Sequence, residues 1–402
     1  MKVINLVHND IKIPLLYEFD DSLPVVTLKL VFRASGSVNE SKPGLARLVG
    51  NLLNEGTKTK GVSEFAKELE IKAVEIYASC GFETFVIEIN CLKEHFNFAY
   101  SKLLELLSDP NLTLKTLEKL KTMTKGEIAT NSSDFDYVAK SALDEILYEG
   151  SLLAIPQIGT LESINSINLD DVKEFLKALS LSNLFIVLAG DIESREFSEI
   201  FEILPVGNKR ELCFIKTNEN MIKKELIRNT EQAFIYFGAP FDVKKDEHYL
   251  ASVATFILGS SGFGSRLLEE IRVKRGLAYS VYAKSDLTLS STKIWGYMQT
   301  KLENQNSAIS VIKSEFERFV KDGVLKSELD AAKNFLLGSV VLSKETMFKR
   351  VAIKQNEFYS GDEFGQFERN LELIRALDLK TMNSFISDHD EILKLSFSIV
   401  TK

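Results

Sequence analysis

The sequence is poor in the residues from which disulfide frameworks and metal sites are built. It has three cysteines, Cys80, Cys91 and Cys213, and no Cys-x-x-Cys pair. Such a sparse, odd set is typical of buried thiols in a reducing compartment and not of a disulfide framework. The four histidines are scattered, and no two have the spacing of paired metal ligands. Composition alone therefore offers no metal centre.

The sequence also lacks an excess of basic residues and any long apolar run. The net charge of −8 argues against nucleic acid and anionic membrane surfaces as partners. The longest dense apolar run, "LFIVLAG" at 184–190, has the length of a strand and cannot cross a bilayer. The N-terminus has no apolar core of a signal peptide. We expect a cytoplasmic protein, or a periplasmic one if a leader has been removed.

The chain is long enough for two domains, and it carries an internal repeat. At 402 residues it exceeds one ordinary hydrophobic core, and its 45% apolar and 26% charged residues are normal for a globular protein. An offset of 205 positions aligns similar residues of the two halves. The aligned pairs include Phe32 with Phe237, Leu45 with Leu250, Leu53 with Leu258, and Tyr77 with Tyr282. A duplication explains this register.

The hydrophobic pattern predicts the same order of elements in each half. Turn residues Asn9 and Asp10 separate two strand-like runs, and residues 25–34 alternate as a half-buried strand does. Helical patterns cover 44–54, 63–73, 93–108, 113–129, 134–148 and 170–179. This order predicts an α+β fold of two homologous domains, each a mostly antiparallel sheet with helices packed on one face.

A polar segment separates the two halves. Residues 205–229 are charged and begin with Pro and Gly, as a linker does. We therefore predict an N-terminal domain at 1–204, a linker at 205–229 and a C-terminal domain at 230–402.

One predicted helix has the apolar spacing and the flanking glycines of a helix that carries a site, but its interior lacks reactive side chains. In "GLARLVGNLLNEGT", residues 44–57, leucines recur at helical spacing between two glycines. Yet Arg47, Gly50 and Asn51 occupy its interior. A glycine there costs about 1 kcal/mol relative to alanine.

A second motif, "GFGSRLLEEIRVKRGLAYSVYA" at 262–283, combines a helix and a strand. Ser265 is placed to cap the helix, and Gly276 is placed to end it. Arg272 then lies in the last turn and Tyr279 early in the next strand, so we expect both side chains to project into the same space. The preceding "GSSGFGS" lacks the Lys-Ser/Thr of a phosphate-binding loop and is predicted to be a helix–helix turn that lines a cleft.

These motifs, with "IPQIGTLESINSINLDDVKEFL" and "NLFIVLAGDIE", resemble the insulinase/pitrilysin metallopeptidase family over nearly the whole chain. The chain is most similar to its short bacterial members and to the subunits of the mitochondrial processing peptidase, above all the non-catalytic one. The resemblance implies that this chain forms one half of a clamshell, and that two such chains enclose a chamber.

The resemblance also implies that the zinc site is degenerate. Active members carry H-x-x-E-H, in which two His bind zinc and the Glu activates water. Here Arg47, Gly50 and Asn51 occupy those positions, and Glu127 matches the third ligand. Arg47 adds a fixed positive charge where a dication would bind. We therefore expect no metal and no cofactor on this chain, with zinc held by a partner subunit.

In the family, an Arg and a Tyr with the spacing of Arg272 and Tyr279 bind the substrate carbonyl from the second domain. The resemblance assigns that substrate-binding role to these two residues. Without it, Arg272 is a solvated residue at a helix end, and Tyr279 is strand packing.

The resulting hypothesis is a non-catalytic subunit of a zinc peptidase, inactive alone, that lends its chamber wall and its Arg272/Tyr279 pair to an H-x-x-E-H partner. Its substrates would be peptides or unfolded proteins. The alternative is a structural or assembly protein of the same fold with no part in proteolysis, which would form a homodimer when alone. An autonomous enzyme of other chemistry ranks last, since the sequence has no nucleophile motif and no nucleotide fingerprint.

Overall fold

The computed structural model describes residues 1–262 and 264–402, and the chain divides into two compact units. Unit 1 comprises Met1–Thr130, Ile155–Leu212 and Glu345–Tyr359. Unit 2 comprises Asn131–Ala154, Cys213–Lys344 and Ser360–Lys402. Each unit therefore includes a segment from the other half of the sequence.

Unit 1 is built on one sheet with the strand order β1-β2-β6-β3-β5-β4. Its strands are β1 (Lys2–His8), β2 (Ile11–Phe19), β3 (Val25–Arg33), β4 (Glu75–Cys80), β5 (Thr84–Leu92) and β6 (Leu184–Gly190). Neighbouring strands are antiparallel except β2 and β6. The predicted hairpin is confirmed, because Asn9 and Asp10 both have positive φ, as a type I′ turn requires.

The helices of the N-terminal half follow the predicted pattern to within a few residues, except for the short helices at 161–166 and 198–203, which the pattern did not predict. They are α1 (Leu45–Leu53), α2 (Gly61–Glu70), α3 (Phe96–Ser108), α4 (Leu114–Ser132), α5 (Phe135–Leu147), α6 (Leu161–Ser166), α7 (Leu169–Ala178) and α8 (Ser198–Ile203). Leu28, Leu30 and Phe32 of β3 are fully buried in one core with Leu48 and Leu52 of α1. The alternation of β3 thus seats α1 on one face of the sheet.

Unit 2 repeats this plan around a sheet of order β7-β11-β8-β10-β9. Its strands are β7 (Lys223–Ile227), β8 (Gln232–Pro240), β9 (Ala278–Leu287), β10 (Thr292–Lys301) and β11 (Ser396–Thr401). Only β7 and β11 pair in parallel. β7 lies within residues 205–229, so this polar segment supplies a strand to the sheet.

The helices of the C-terminal half include two π-helical segments, Phe256–Ser260 and Glu269–Val273. The others are α9 (His248–Thr255), α10 (Arg266–Leu268), α11 (Gln305–Asp322), α12 (Lys326–Gly338), α13 (Val340–Ser343), α14 (Met347–Tyr359), α15 (Gln366–Ala376) and α16 (Leu379–Asp388). Leu250, Leu258, Leu267 and Ile271 form one buried core with the sheet.

Two helices are exchanged between the halves of the sequence. The α5 helix packs on the sheet of unit 2, where the buried Lys293 of β10 binds Asp144 at 2.6 Å. The α14 helix packs on unit 1, where the Phe358 ring lies 5.2 Å from that of Phe185. Phe185 alternates with the β6 residues of the main core, so the exchanged helix covers the opposite face of the sheet. Each sheet therefore carries helices beyond the one-sided layer that its pattern predicts.

Among the helices of residues 1–262 and 264–402, none combines the length and the apolar character that a membrane-spanning helix needs.

Candidate functional site

Helix α1 is fixed in position by its buried apolar side chains and by hydrogen bonds at its N-terminus. Its leucines are buried against the sheet, and Gly44 precedes it with φ of 90°. The buried carboxylate of Glu40 accepts hydrogen bonds from the N–H groups of Gly44, at 2.9 Å, and Ala46, at 2.8 Å. Glu40 thus satisfies two backbone donors that the first turn leaves unpaired.

Glu40 was not identified from the sequence. Its burial raises the pKa of the carboxyl group to about 7, although the N–H groups of Ala46, Gly44 and Leu45 counteract the rise. The signal in the sequence is an acid shortly before a helix start, but that pattern is also typical of exposed caps.

The structure joins two of the four predicted positions of the degenerate metal site. Arg47 Nη2 donates to Glu127 of α4, at 2.8 Å from Oε1 and 3.1 Å from Oε2. The side chains are 34% and 46% exposed, so this ion pair contributes at most about 1 kcal/mol to stability. Arg47 Nη1 is closed off from solvent and has no hydrogen-bond partner among the described residues.

The other two predicted positions, Gly50 and Asn51, provide no catalytic side chain. Gly50 is buried in α1, and a Cβ there would lie 3.6 Å from the Ala78 carbonyl oxygen and 3.7 Å from the Phe85 ring, which are ordinary contacts. The helix therefore has room for a Cβ at position 50 but has no general base there. Asn51 is half-buried and offers a neutral amide.

This donor set does not fit zinc. Zinc takes thiolates, imidazoles and carboxylates, whereas Arg47 is a cation, Gly50 has no side chain and Glu127 is bound to Arg47. Cys80 lies near enough for Glu40 and Arg47 to influence it, but burial raises the pKa of its thiol to about 12, so it stays protonated. Within the described residues, no three His, Cys, Asp or Glu side chains are grouped as metal ligands.

The second motif has an irregular helix instead of the regular one that its pattern predicts. Ser265 caps α10 as expected, with Oγ accepting from the Leu268 N–H at 3.4 Å. After one turn the chain becomes π-helical, and the N–H of Lys274 bonds the carbonyl of Glu269 at 2.9 Å. Gly276 ends the segment with φ of 59°. A π-helical turn in a helix is frequently found at functional sites.

This irregular turn brings Arg272 and Tyr279 together. The guanidinium carbon of Arg272 lies 4.5 Å from the centroid of the Tyr279 ring, the geometry of a cation–π contact. Tyr279 is 81% exposed, which is unusual for a large ring in a strand. The pair thus presents a guanidinium and a phenol, both hydrogen-bond donors, on the surface of unit 2.

The buried carboxylate of Glu270 forms ion pairs within the same π-helical turn. Glu270 accepts from Lys274 Nζ at 2.5 Å and also binds Arg275, and Arg318 lies 3.4 Å away. Burial alone raises the pKa of Glu270, but the bonds from Lys274 and Arg275 outweigh it and lower the pKa to about 2. Glu270 is therefore ionised at neutral pH, and its side-chain bonds connect residues on both sides of Arg272.

The glycine-rich loop before this motif joins the π-helical segment Phe256–Ser260 to α10, in agreement with the predicted helix–helix turn. Phe263 of that loop lies outside the described residues. At Gly259 a Cβ would lie 2.4 Å from the Ala283 N–H nitrogen of β9, so only glycine permits this close approach.

Comparison with known proteins places both halves of the sequence in one family. The family model described as Insulinase (Peptidase family M16) matches residues 16–161. The model described as Peptidase M16 inactive domain matches residues 166–336.

Individual relatives cover almost the whole chain. It is 40% identical to "Non-peptidase homolog YmxG" of Helicobacter pylori, over 98% of this chain and 93% of that protein. It is 24% identical to "Uncharacterized zinc protease YmxG" of Bacillus subtilis, over 88% of each. A solved peptidase M16 inactive domain from Pseudomonas fluorescens superposes with a TM-score of 0.88 at 23% identity, over 100% of this chain and 98% of that one. The chain therefore belongs to the insulinase family of peptidases, M16.

Proposed function

We propose that this chain is a non-catalytic subunit of a heteromeric zinc peptidase, with zinc and general base supplied by a partner that carries H-x-x-E-H. It contributes the Arg272/Tyr279 pair and part of the chamber wall. The substrates are peptides or unfolded proteins, and the sparse cysteines favour a reducing compartment such as the cytoplasm.

The observation that carries the proposal is the contrast between the two units. In unit 1 the positions of zinc ligands and base hold Arg47, Gly50 and Asn51, and the remaining carboxylate of Glu127 is paired with Arg47. In unit 2 two hydrogen-bond donors are side by side, and one is strongly exposed. Donors aimed at a carbonyl oxygen stabilise the negative charge that develops during peptide hydrolysis.

The test mixes the purified chain with an H-x-x-E-H family member from the same organism and follows cleavage of an unstructured peptide. We expect no cleavage by this chain alone and a higher rate in the mixture than with the partner alone. Arg272→Ala or Tyr279→Phe should lower that rate by about tenfold or more, as losing a transition-state donor does. The matched control is Arg375→Ala, which removes an exposed arginine elsewhere on unit 2. Unchanged turnover in the two site variants would refute the substrate-binding role.

One observation favours a second candidate, a structural or assembly role without proteolysis. The H. pylori relative is named a non-peptidase homolog. This candidate predicts that the chain forms a stable homodimer or complex in analytical ultracentrifugation, and that replacing Arg272 or Tyr279 changes neither its assembly nor any peptidase rate.

A further inference from the structure

The sheet of unit 2 carries a row of three tyrosines on one face. Tyr236 of β8 lies directly opposite Tyr297 of β10, and Tyr297 lies directly opposite Tyr282 of β9. Trp295 lies two residues before Tyr297 on β10, so its side chain points to the same face. Tyr236 is buried, whereas the other rings are half-buried. We call Tyr236, Tyr297 and Tyr282 the tyrosine row.

The rings of this cluster touch in several orientations. The Tyr297 centroid lies 4.9 Å from that of Tyr236 and 5.7 Å from that of Tyr282. The Trp295 ring is nearly parallel to Tyr236, at 11°, and nearly perpendicular to Tyr282, at 79°. Such a cluster concentrates the negative faces of several rings, which attract cations.

Cations of the chain already lie over the ends of the cluster. Lys284 Nζ is 4.9 Å from the Tyr282 centroid, and Lys140 Nζ is 5.8 Å from the Trp295 ring. The ammonium group of Lys140 is neutralised by Asp144, at 2.8 Å. These contacts show that the faces of the cluster accept ammonium groups.

A carboxylate adjoins the tyrosine row without a cation of its own. Asp136, in the first turn of the exchanged helix α5, is near enough to raise the pKa of all three row hydroxyls, in addition to the effect of their burial. Among the described residues, no Lys, Arg or His forms an ion pair with Asp136, and its Oδ1 is closed off from solvent without accepting a hydrogen bond. The Trp295 Nε1 donor is likewise buried and unpaired within the described chain.

Unit 1 has no such cluster at the matching place. The repeat offset aligns Val31 with Tyr236 and Tyr77 with Tyr282. In the sheet of unit 1, Val31 pairs with Val86, so only one tyrosine of the row has a counterpart there, and no row of tyrosines forms. The tyrosine row, whose Tyr236 and Tyr297 hydroxyls hydrogen-bond to Asp136, therefore distinguishes the sheet of unit 2 from that of unit 1.

We propose that the tyrosine row, Trp295 and Asp136 form a binding site for an organic cation, that is, an ammonium or guanidinium group such as a Lys or Arg side chain of a peptide. The rings receive the charged group on their faces, and the Asp136 carboxylate accepts its hydrogen bonds. The site lies within unit 2 and does not require a partner subunit, so it stands or falls separately from the proposed peptidase role.

The single tryptophan makes the test direct, because Trp295 emission reports on this site alone. The full-length chain is titrated with N-acetyl-lysine methylamide, N-acetyl-arginine methylamide, the uncharged norleucine analogue and tetramethylammonium. We expect saturable emission changes with cations and none with norleucine. Binding of the Lys or Arg compound points to a peptide side chain, and binding of tetramethylammonium alone to a free organic cation.

Variants of Asp136 and of a control carboxylate test whether the cation binds at the proposed site. Asp136→Asn should weaken binding at least tenfold, whereas Asp286→Asn, which removes an exposed carboxylate of β9, should leave it within twofold. Thermal melting confirms that both variants fold. Equal affinity of the Asp136→Asn chain, an equal response to norleucine, or no saturable response to any cation would overturn the proposal.

Discussion

Restoring the zinc motif in α1 tests whether unit 1 retains the frame of a metal site. The perturbation is the triple variant Arg47→His, Gly50→Glu and Asn51→His. Positions 47 and 51 lie one turn apart on one helix face. The Glu127 carboxylate is already 2.8 Å from Arg47 Nη2, and a Cβ at Gly50 would meet the Ala78 oxygen at an ordinary 3.6 Å. We therefore expect the variant to bind one zinc ion through both histidines and Glu127.

The size of the effect follows from linkage. Zinc at a hundredfold excess over its Kd stabilises the folded chain by about 2.7 kcal/mol. Unfolding entropy of about 2.1 cal/mol/K per residue gives roughly 0.85 kcal/mol/K for 402 residues. The melting temperature of the variant should therefore rise by about 3 °C when zinc is added.

The assay is elemental analysis after dialysis together with thermal melting with and without zinc. The matched control keeps Arg47 and carries only Gly50→Glu and Asn51→His, so that a fixed cation remains beside Glu127. We expect this control and the natural chain to hold no stoichiometric zinc. A folded triple variant without zinc, or a control that binds it equally well, would refute the reasoning that Arg47 replaces the metal.

Three further predictions follow from the same units. Gly50→Ala should raise the free energy of unfolding by about 0.5–1 kcal/mol, because Gly50 is in a helix interior with room for a Cβ. A lower free energy of unfolding in urea than that of the natural chain would contradict this. The pKa of Glu40 is about 7 in the folded chain and 4.5 ordinarily, so the natural chain loses stability as the pH rises through that interval. Between about pH 4.5 and 8, the free energy of unfolding of the Glu40→Gln variant should therefore rise by about 3 kcal/mol relative to that of the natural chain, as measured by urea unfolding. A difference in unfolding free energy that does not change with pH would contradict the raised pKa. A fragment of residues 1–212 should lack a cooperative melting transition by circular dichroism, because unit 1 also needs Glu345–Tyr359; a sharp transition would show that α14 is dispensable.

Local patterns in the sequence predicted most elements of the fold. The hairpin at Asn9 and Asp10 and the leucine spacing of α1 are short-range signals, and both are confirmed. The strand predicted at 25–34 is also confirmed as β3, but its predicted half-burial is wrong, because Thr27 and Val31 on its second face are buried too. The loss of the zinc ligands is likewise a prediction from residue identity, because Arg47, Gly50 and Asn51 supply none of the ligand types that zinc takes. Periodicity determines which face of an element is buried, and residue type determines what it can bind.

The tertiary structure decided every contact between residues distant in the chain. The bond between Arg47 and Glu127 joins residues 80 positions apart, and its geometry depends on how α1 and α4 pack. The exchange of α5 and α14 was not predictable, because an apolar helix face does not specify which sheet will cover it. The π-helical turn at Arg272 likewise depends on packing and not on propensity.

The cation site shows the same division most clearly. Each tyrosine of the row reads locally as an ordinary strand aromatic, and Asp136 reads as an acid at a helix start. Only the register of three strands, together with the exchanged helix, places them side by side. The sequence by itself determined the duplicated fold and predicted the loss of the zinc ligands, because both depend on local pattern and residue identity. Tertiary structure alone decided that Arg47 binds Glu127 and where the aromatic and acidic groups meet, because long-range packing sets those distances.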